Sequence, residues 1–233
     1  MTTDPCHIAI IMDGNRRWAE RRGLAIADGH KEGGLVAKNI ITEAAKSKIR
    51  YLTLYAFSSE NWQRSDFEVS NLMLLLEFYL SNNSRLLLEN NIRFRVIGDI
   101  ARLSPSIQKK ITEYEILTKN STGLNLIIAL NYGSKLEIVD SCRKICLEVI
   151  AGTTKLEELN EQKFAEFLYT KDIPDPDLLI RTSGEQRISN FLLWQIAYTE
   201  LYFTNKLWPD FNKEDLDEAI KSFRERKRKY GAK

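Results

Sequence analysis

The apolar run Ile8–Met12, which ends abruptly at Asp13-Gly14-Asn15, constrains the fold of this chain more than any other stretch. A short apolar run bounded by turn residues is typical of a strand that is buried on both faces. Asp, Gly and Asn favour turns and left-handed backbone, whereas the residues from Arg16 onward are good helix formers. The stretch therefore predicts a buried strand, a tight loop and a helix.

The loop after this strand combines one carboxylate, Asp13, with two cations, Arg16 and Arg17. Free N–H groups at a helix start and guanidinium groups beside them attract phosphate, whereas the carboxylate repels it. A divalent cation would remove that conflict, because Mg²⁺ is commonly held by one carboxylate together with substrate phosphates. The alternative is an aspartate that caps the helix beside two solvated arginines, and this stretch alone does not decide between the two.

Further strands and helices alternate along the chain. Strands are expected at 51–57, 92–97, 124–130 and 178–180, with a sixth inside 191–203. This alternation predicts an α/β fold with a mainly parallel six-stranded sheet flanked by helices. Polar clusters directly follow four of the strands, at 13–17, 58–64, 131–133 and 181–187. Because ligands bind beyond the carboxyl ends of such strands, we expect these clusters to share one rim.

One predicted helix, about 68–90, is apolar around its whole circumference, since residues 72–76 are consecutive apolar side chains. Such a helix is buried on several sides or lines an apolar cavity. A second helix is expected at about 32–47, with His30 in the loop before it. A third, through about Ile150, places Cys142 and Cys146 at core spacing. The rim and the apolar helix together indicate a ligand with phosphates at one end and a greasy chain at the other.

Composition sets broad limits on function. The 233 residues are 43% hydrophobic and contain no Pro/Gly-rich linker, so a single domain spanning 1–233 is expected. The net charge of +2 argues against nucleic acid as a partner. Three cysteines predict neither a disulfide framework nor a zinc site. Without a signal peptide or a long apolar run, a cytoplasmic location is expected.

Three long motifs in this chain resemble those of the cis-prenyltransferases, and most closely of the bacterial undecaprenyl diphosphate synthases. The first is Met12-Asp13-Gly14-Asn15 with Arg17-Trp18, and the second is Tyr55–Trp62 with Arg64. The third is Arg181-Thr182, Gly184-Glu185 and Arg187–Trp194. The similarity extends from His7 to about Arg226. It implies an α/β sheet that encloses a hydrophobic tunnel, and a homodimer.

The resemblance implies an Mg²⁺-dependent enzyme that condenses isopentenyl diphosphate onto an allylic diphosphate such as farnesyl diphosphate. The product would be a long cis-polyprenyl diphosphate, such as undecaprenyl diphosphate, the lipid carrier of cell-wall synthesis. Asp13 would place Mg²⁺ with a contribution from Glu200, and Asn61 would orient the reacting group. The implied allylic-substrate residues are Gly14, Asn15, Arg16, Arg17, Trp18, His30, Ser58, Ser59, Glu60, Trp62 and Arg64. Those implied for isopentenyl diphosphate are Arg181, Arg187, Ile188 and Ser189.

The chain departs from the family pattern at a few positions. Ile26 stands where an arginine usually helps to hold the allylic diphosphate, and Gln186 stands where a histidine is common. Ser134-Lys135 replaces Gly-Arg, and Arg16 and Ser183 replace frequent glycines. None of these changes removes Asp13 or the paired arginines.

The sequence disfavours two other classes of protein. A non-catalytic partner subunit of a heteromeric prenyltransferase would lack the first-motif aspartate and the Arg-Thr-x-Gly-Glu cluster, both of which are present. A nucleotide-phosphate enzyme is disfavoured because the chain has neither a G-x-x-x-x-G-K-[ST] loop nor a G-x-G-x-x-G fingerprint. The basic tail 221–233 is interpreted as a solvated helix end. Peripheral contact with membrane lipid at the inner face of the plasma membrane is the alternative.

Overall fold

A computed structural model describes residues 4–226 of the chain. Its six-stranded sheet has the order β3-β4-β2-β1-β5-β6, and every pair of neighbouring strands is parallel. The strands are β1 His7–Ile11, β2 Tyr51–Ser58, β3 Arg93–Ile97, β4 Asn125–Tyr132, β5 Leu178–Arg181 and β6 Glu200–Phe203. The helices are α1 Asn15–Arg21, α2 Ile26–Lys46, α3 Asp66–Asn82, α4 Ser84–Glu89, α5 Pro105–Thr118, α6 Ser134–Ile150, α7 Glu161–Ala165 and α8 Lys213–Glu225. The predicted α/β fold is confirmed.

The central strand β1 is buried on both faces, as its unbroken apolar run predicts. Ile8 and Ile10 point to the face covered by α2, α5 and α8, and both are fully buried. Ala9 and Ile11 point to the opposite face, where they pack near Phe191 and Leu192. Successive side chains alternate across a strand, so a strand in the middle of a two-sided α/β sheet must be apolar at every position.

The register of the sheet brings the carboxyl ends of the strands to one rim. Ile11, the last residue of β1, pairs with Tyr55 of β2 on one side and with Arg181 of β5 on the other. The loops that follow these strands therefore start side by side. The predicted convergence of the polar clusters at one edge is confirmed.

Two predicted helices have different limits. α2 begins at Ile26 rather than near residue 32, so His30 is a helical residue and not a loop residue. The apolar stretch 68–90 forms two helices, α3 and α4, with a break at Asn83. The Asn82 and Asn83 side-chain amides donate to the carbonyl oxygens of residues four positions earlier. Such side-chain bonds compete with the helical ladder and explain the break.

The buried face of α6 is polar, and the expected core positions of Cys142 and Cys146 are wrong. Both cysteines are exposed. The buried side chains of α6 are instead Ser134, Glu137, Ser141 and Ile145. The apolar spacing predicted the wrong buried face of α6. The carboxylate of Glu137 lies on the face that is actually buried and accepts hydrogen bonds from Tyr132 and the Tyr169 N–H.

His7, at the start of β1, is expected to make the fold sensitive to acid. Its ring nitrogens lie 2.6 Å from the Pro174 carbonyl oxygen and 2.7 Å from Thr53 Oγ1. Burial lowers the pKa of His7 from 6.5 to about 4. Since the unfolded chain binds the proton more tightly, this stabilisation is complete above pH 6.5 and is lost as the pH falls toward 4. The loss should reach about 3 kcal/mol.

Urea unfolding between neutral pH and about pH 4.5 checks this expectation. The free energy of unfolding should fall less steeply with decreasing pH in His7→Gln than in the wild-type protein. His30→Gln is the variant for comparison. Burial also lowers the pKa of His30, but that ring keeps some exposure, so this substitution should change the slope less than His7→Gln does. Equal slopes in the wild-type protein and His7→Gln would contradict the expectation.

Candidate active site

The loop that follows β1 is held in place by the end of β5. Thr182 Oγ1 accepts a hydrogen bond from the Asp13 N–H at 2.9 Å and donates one to the Asp13 carbonyl oxygen at 2.6 Å. Gly14 has a left-handed φ of 111°, and a Cβ there would lie 2.9 Å from a methyl group of Leu207. Only glycine fits both the conformation and the space. The backbone thus fixes where the Asp13 carboxylate lies.

The Asp13 carboxylate contacts two arginines that are distant from each other in sequence, Arg17 and Arg181. Arg181 Nη2 lies 2.8 Å from Asp13 Oδ2, and Arg17 Nη2 lies 3.8 Å from Asp13 Oδ1. Arg17 also pairs with Glu185 at 3.0 Å and donates to Ser183 Oγ at 2.7 Å. The first and third motifs therefore form one network of charges.

Arg181 is the most enclosed cation of this network, with a side chain that is 4% exposed. Its Nη1 donates to Ser189 Oγ at 2.7 Å and to the Arg187 carbonyl oxygen. Its Nε is buried and has no hydrogen-bond partner within the part of the chain that the structure describes. Arg187 is exposed and pairs with Glu185. Ile188, beside it, is half-buried.

The second motif forms a short 3₁₀ helix, Ser59–Gln63, at the end of β2. Asn61 Oδ1 accepts a hydrogen bond from the Ser58 N–H at 3.0 Å, so this side chain caps the turn. Trp62 Nε1 donates to Asn131 Oδ1 at 2.7 Å, which ties the turn to the end of β4. Glu60 accepts from Asn190 Nδ2 at 2.6 Å, and Ser59 lies against Gly133. The second motif is thus held next to the third.

A triad of Arg64, Glu68 and His30, in which Glu68 is buried and Arg64 exposed, lines the same cavity as Asp13. Arg64 Nη1 is 2.7 Å from Glu68 Oε1, and His30 Nε2 is 3.3 Å from the same oxygen. Burial lowers the pKa of His30, although Glu68 opposes that shift. Sequence reasoning missed Glu68; its position four residues after Arg64, at the start of the predicted helix 68–90, was the available signal.

Two neighbouring cavities meet at this rim. A polar cavity of about 320 Å³ is lined by Met12, Asp13, Gly14, Asn15, Arg16, Arg17, His30, Arg64 and Glu68. A largely apolar cavity of about 220 Å³ lies between the sheet and helices α2, α3 and α4. Met12, Asn15 and His30 line both cavities and mark the place where they join. A ligand with a charged head and an apolar chain fits this pair of cavities.

The apolar cavity extends along the strands, away from the rim. Leu126, Ile128 and Leu130 are alternate residues of β4 and all line it. Near the other end of the sheet, Phe94 pairs with Leu126, and Tyr114 packs edge-on against Phe94 with ring centroids 5.6 Å apart. Of the two interpretations of the 68–90 stretch, the structure favours the lining of a cavity, since α3 and α4 both contribute side chains to it. The helix is not buried on all sides, because Leu74 and Phe78 are exposed.

Some predicted site residues do not line the polar cavity. Glu200 begins β6 and pairs in register with Leu178, at the opposite end of the sheet from Arg181. It lies 2.7 Å from Arg226. Asp13 and Glu200 therefore do not share a metal site within one chain. Trp18 also lies outside the cavity: its Nε1 donates to Asp210 Oδ1 at 2.8 Å, and its ring lies beneath the Arg22 guanidinium. Arg16 does line the cavity, but its guanidinium pairs with Glu20.

The residues at the rim fit an Mg²⁺ ion that is completed by the substrate. Among residues 4–226 no group of three or more His, Cys, Asp or Glu side chains is placed to hold a metal. Of the two carboxylates that line the polar cavity among the described residues, Asp13 is the more exposed, at 28% against 10% for Glu68. Mg²⁺ is often bound by one or two carboxylates plus substrate phosphates, so a single carboxylate beside a phosphate cradle is sufficient.

The fold and this rim define an α/β protein whose paired cavities are suited to a phosphorylated, partly apolar ligand. A prenyltransferase family model described as "Putative undecaprenyl diphosphate synthase" matches residues 11–231. An isoprenyl transferase of Clostridium perfringens is 48% identical over 97% of this chain and 90% of its own length. A farnesyl-diphosphate-specific ditrans,polycis-undecaprenyl-diphosphate synthase of Pasteurella multocida is also 48% identical, over 97% of this chain and 95% of its own.

A solved structure agrees with these sequence relatives. Lavandulyl diphosphate synthase from Lavandula x intermedia, in complex with dimethylallyl diphosphate, superimposes with a TM-score of 0.95 and 41% identity over 98% of both chains. The chain belongs to the cis-prenyltransferase family of undecaprenyl diphosphate synthases, which confirms the resemblance drawn from its three motifs. Among the described residues no helix is long and apolar enough to cross a membrane.

Proposed function

We propose that this chain, as one catalytic domain, condenses isopentenyl diphosphate units onto farnesyl diphosphate with cis stereochemistry and makes undecaprenyl diphosphate. The observation that supports this most is the junction of the polar and apolar cavities at Met12, Asn15 and His30. An allylic diphosphate would place its head in the polar cavity and its hydrocarbon chain in the apolar one.

The residues of the polar cavity would bind the allylic diphosphate and stabilise its departure. The N–H groups at the start of α1 and the guanidinium groups of Arg16, Arg17 and Arg64 would face the phosphate oxygens. Charge develops on the leaving diphosphate when the allylic C–O bond ionises. A preorganised donor at such a position contributes about 3–4 kcal/mol to the transition state.

Isopentenyl diphosphate would lie on the other side of Asp13, against Arg181, Arg187 and Ser189. Arg181 is already fixed there by Asp13 and Ser189, so little entropy is lost when it binds a second diphosphate. When bound at Asp13, Mg²⁺ would offset the negative charge of a diphosphate. Asn61 would orient the reacting group, because its Oδ1 already holds the turn and a neutral amide is a poor base.

The cellular role follows from the same proposal. We infer a homodimer that works in the cytoplasm and supplies the lipid carrier of cell-wall synthesis. The outer face of α6 supports the homodimer, because Val139, Leu147 and Ile150 leave 46%, 67% and 83% of their surface exposed. Lipid contact through the basic tail is a separate proposal, since most of that tail lies outside the described residues.

Incorporation of radiolabelled isopentenyl diphosphate with farnesyl diphosphate, with and without Mg²⁺, tests the proposal. We expect Mg²⁺-dependent label in products that thin-layer chromatography resolves as long polyprenyl chains. Label confined to short products would contradict the undecaprenyl assignment. No incorporation with farnesyl or shorter primers would favour the partner-subunit alternative, in which Ile26 replaces a needed cation.

Tyr114→Ala is expected to lengthen the product by at least one isoprene unit. Tyr114 lies where the apolar cavity ends, and its hydroxyl is buried without a hydrogen-bond partner among residues 4–226. The substitution removes a phenol group, which is larger than a five-carbon unit, and breaks no hydrogen bond. Chain length measured by mass spectrometry checks this, with the 71% exposed Tyr198→Ala as the control. An unchanged product distribution would place the end of the cavity elsewhere.

A further inference from the structure

Glu137, in the first turn of α6, is a fully buried carboxylate that the proposed mechanism does not use. Three donors reach its two oxygens. Tyr132 Oη and Gln195 Nε2 donate to Oε2 at 2.5 and 3.2 Å, and the Tyr169 N–H donates to Oε1 at 2.9 Å. These donors come from the end of β4 and from two loops that are distant in sequence. Glu137 therefore connects three separate stretches of chain.

Burying this carboxylate costs free energy that burying an apolar side chain would not. Burial raises the pKa of Glu137, and the hydrogen bonds from Tyr132, Gln195 and the backbone oppose that shift. A buried acid is tolerated only when its oxygens are well satisfied, and an apolar side chain would often pack as stably. Glu137 is therefore expected to act through the three stretches of chain that donate hydrogen bonds to it.

The stretch 187–192, which carries Arg187 and Ser189, has a strained backbone. Ser189, Asn190 and Leu192 have φ values of 47°, 60° and 50°, in the left-handed region. Residues other than glycine rarely adopt that region, because Cβ then comes too close to the following carbonyl oxygen. Such a conformation persists only where the surrounding structure imposes it.

The start of α6 and Tyr132 impose this conformation. The Asn190 carbonyl oxygen accepts from the Ser134 N–H at 2.8 Å, and Asn190 Oδ1 accepts from the Lys135 N–H at 2.9 Å. Ser134 Oγ accepts from the Leu193 N–H at 2.9 Å. The Phe191 ring meets the Tyr132 ring edge-on, with centroids 6.0 Å apart. The Glu137 carboxylate accepts hydrogen bonds from Tyr132 and from Gln195. It thus holds both the ring that packs on Phe191 and the chain just beyond the stretch 187–192.

We propose that Glu137 is a positioning residue that holds the stretch 187–192 in the conformation that presents Arg187 and Ser189 to isopentenyl diphosphate. This inference rests on the proposed function. The hydrogen bonds of the Glu137 carboxylate go to none of the side chains that line the polar cavity. Loss of Glu137 should therefore affect one diphosphate site and leave the other intact.

Steady-state kinetics of Glu137→Ala and Glu137→Gln test the inference, with each substrate varied in turn. We expect the KM for isopentenyl diphosphate to rise about tenfold or more in Glu137→Ala, which corresponds to at least ~1.4 kcal/mol. The rise should be smaller in Glu137→Gln, which keeps one acceptor oxygen. The KM for farnesyl diphosphate should stay within about twofold, since the hydrophobic and phosphate contacts of that substrate are untouched.

Glu148→Gln is the matched control, because Glu148 lies on the same helix and accepts a hydrogen bond from Thr154 Oγ1 at 2.6 Å. Its two KM values should match those of the wild-type enzyme. If Glu137→Ala folds poorly, Glu137→Gln decides the question. Equal rises in both KM values, or a lower Tm with wild-type kinetics, would overturn the inference. An inactive wild-type protein would instead overturn the proposed function itself.

Discussion

Replacing Asp13 by alanine is expected to lower kcat by roughly a hundred- to a thousandfold, the loss seen when one preorganised electrostatic group is removed from a transition state. Asp13 is the one acidic side chain that both touches Arg181 and lines the polar cavity within the described chain. Its removal takes away the carboxylate proposed to hold Mg²⁺. It also leaves Arg181 without the carboxylate that orients it, whereas Arg17 keeps its ion pair with Glu185.

Single-turnover incorporation of labelled isopentenyl diphosphate at saturating Mg²⁺ measures this loss. Asp217→Ala is a suitable control, because Asp217 is an exposed aspartate on α8 that forms an ion pair with Lys213 at 3.1 Å. Its kcat should be that of the wild-type enzyme. If Asp13→Ala kept more than about a tenth of the wild-type kcat, the proposed role of this carboxylate would be wrong.

Replacing Arg181 by methionine should have the second-largest effect, a rise of about a hundredfold in the KM for isopentenyl diphosphate. Its guanidinium is almost completely enclosed and contacts Asp13, Ser189 and the Arg187 carbonyl oxygen. Methionine keeps most of the volume but leaves these acceptors unpaired. Methionine also removes the cation proposed to bind isopentenyl diphosphate, and a hydrogen bond to a charged group contributes about 1.5–3 kcal/mol.

The KM values for both substrates, together with the Tm, separate binding from folding in this variant. The KM for isopentenyl diphosphate should rise much more than the KM for farnesyl diphosphate, because Arg181 does not line the polar cavity. Arg85→Met, in which the lost arginine is 87% exposed and pairs with Glu89, should change neither value. A fall in Tm with unchanged KM values would show that Arg181 is only structural.

The proposed role of Glu137 extends this division into two diphosphate sites. Asp13 and Arg181 lie at the boundary between the sites, whereas Glu137 lies behind the stretch that carries Arg187 and Ser189. Variants at the three positions should therefore differ in which parameter changes. Asp13→Ala should mainly lower kcat, and the other two should mainly raise the KM for isopentenyl diphosphate.

Local patterns in the sequence were sufficient to predict the strands and the rim. The apolar run Ile8–Met12, bounded by turn residues, is typical of a strand buried on both faces, and parallel strands end at one edge of the sheet. That reasoning placed the Asp13, Ser58 and Arg181 clusters together without knowledge of the strand order. The identity of the family also followed from the sequence, since each of its three motifs is continuous along the chain.

The tertiary structure alone decided which side chains meet. The pairing of Asp13 with Arg181 requires β1 and β5 to be neighbours, and the separation of Glu200 from Asp13 depends on the register of β6. The buried face of α6 is polar because Tyr132, Tyr169 and Gln195 supply donors there. The periodicity of apolar residues predicts only apolar faces. A buried carboxylate depends on hydrogen-bond donors that are mostly distant in sequence, so the sequence alone does not predict it.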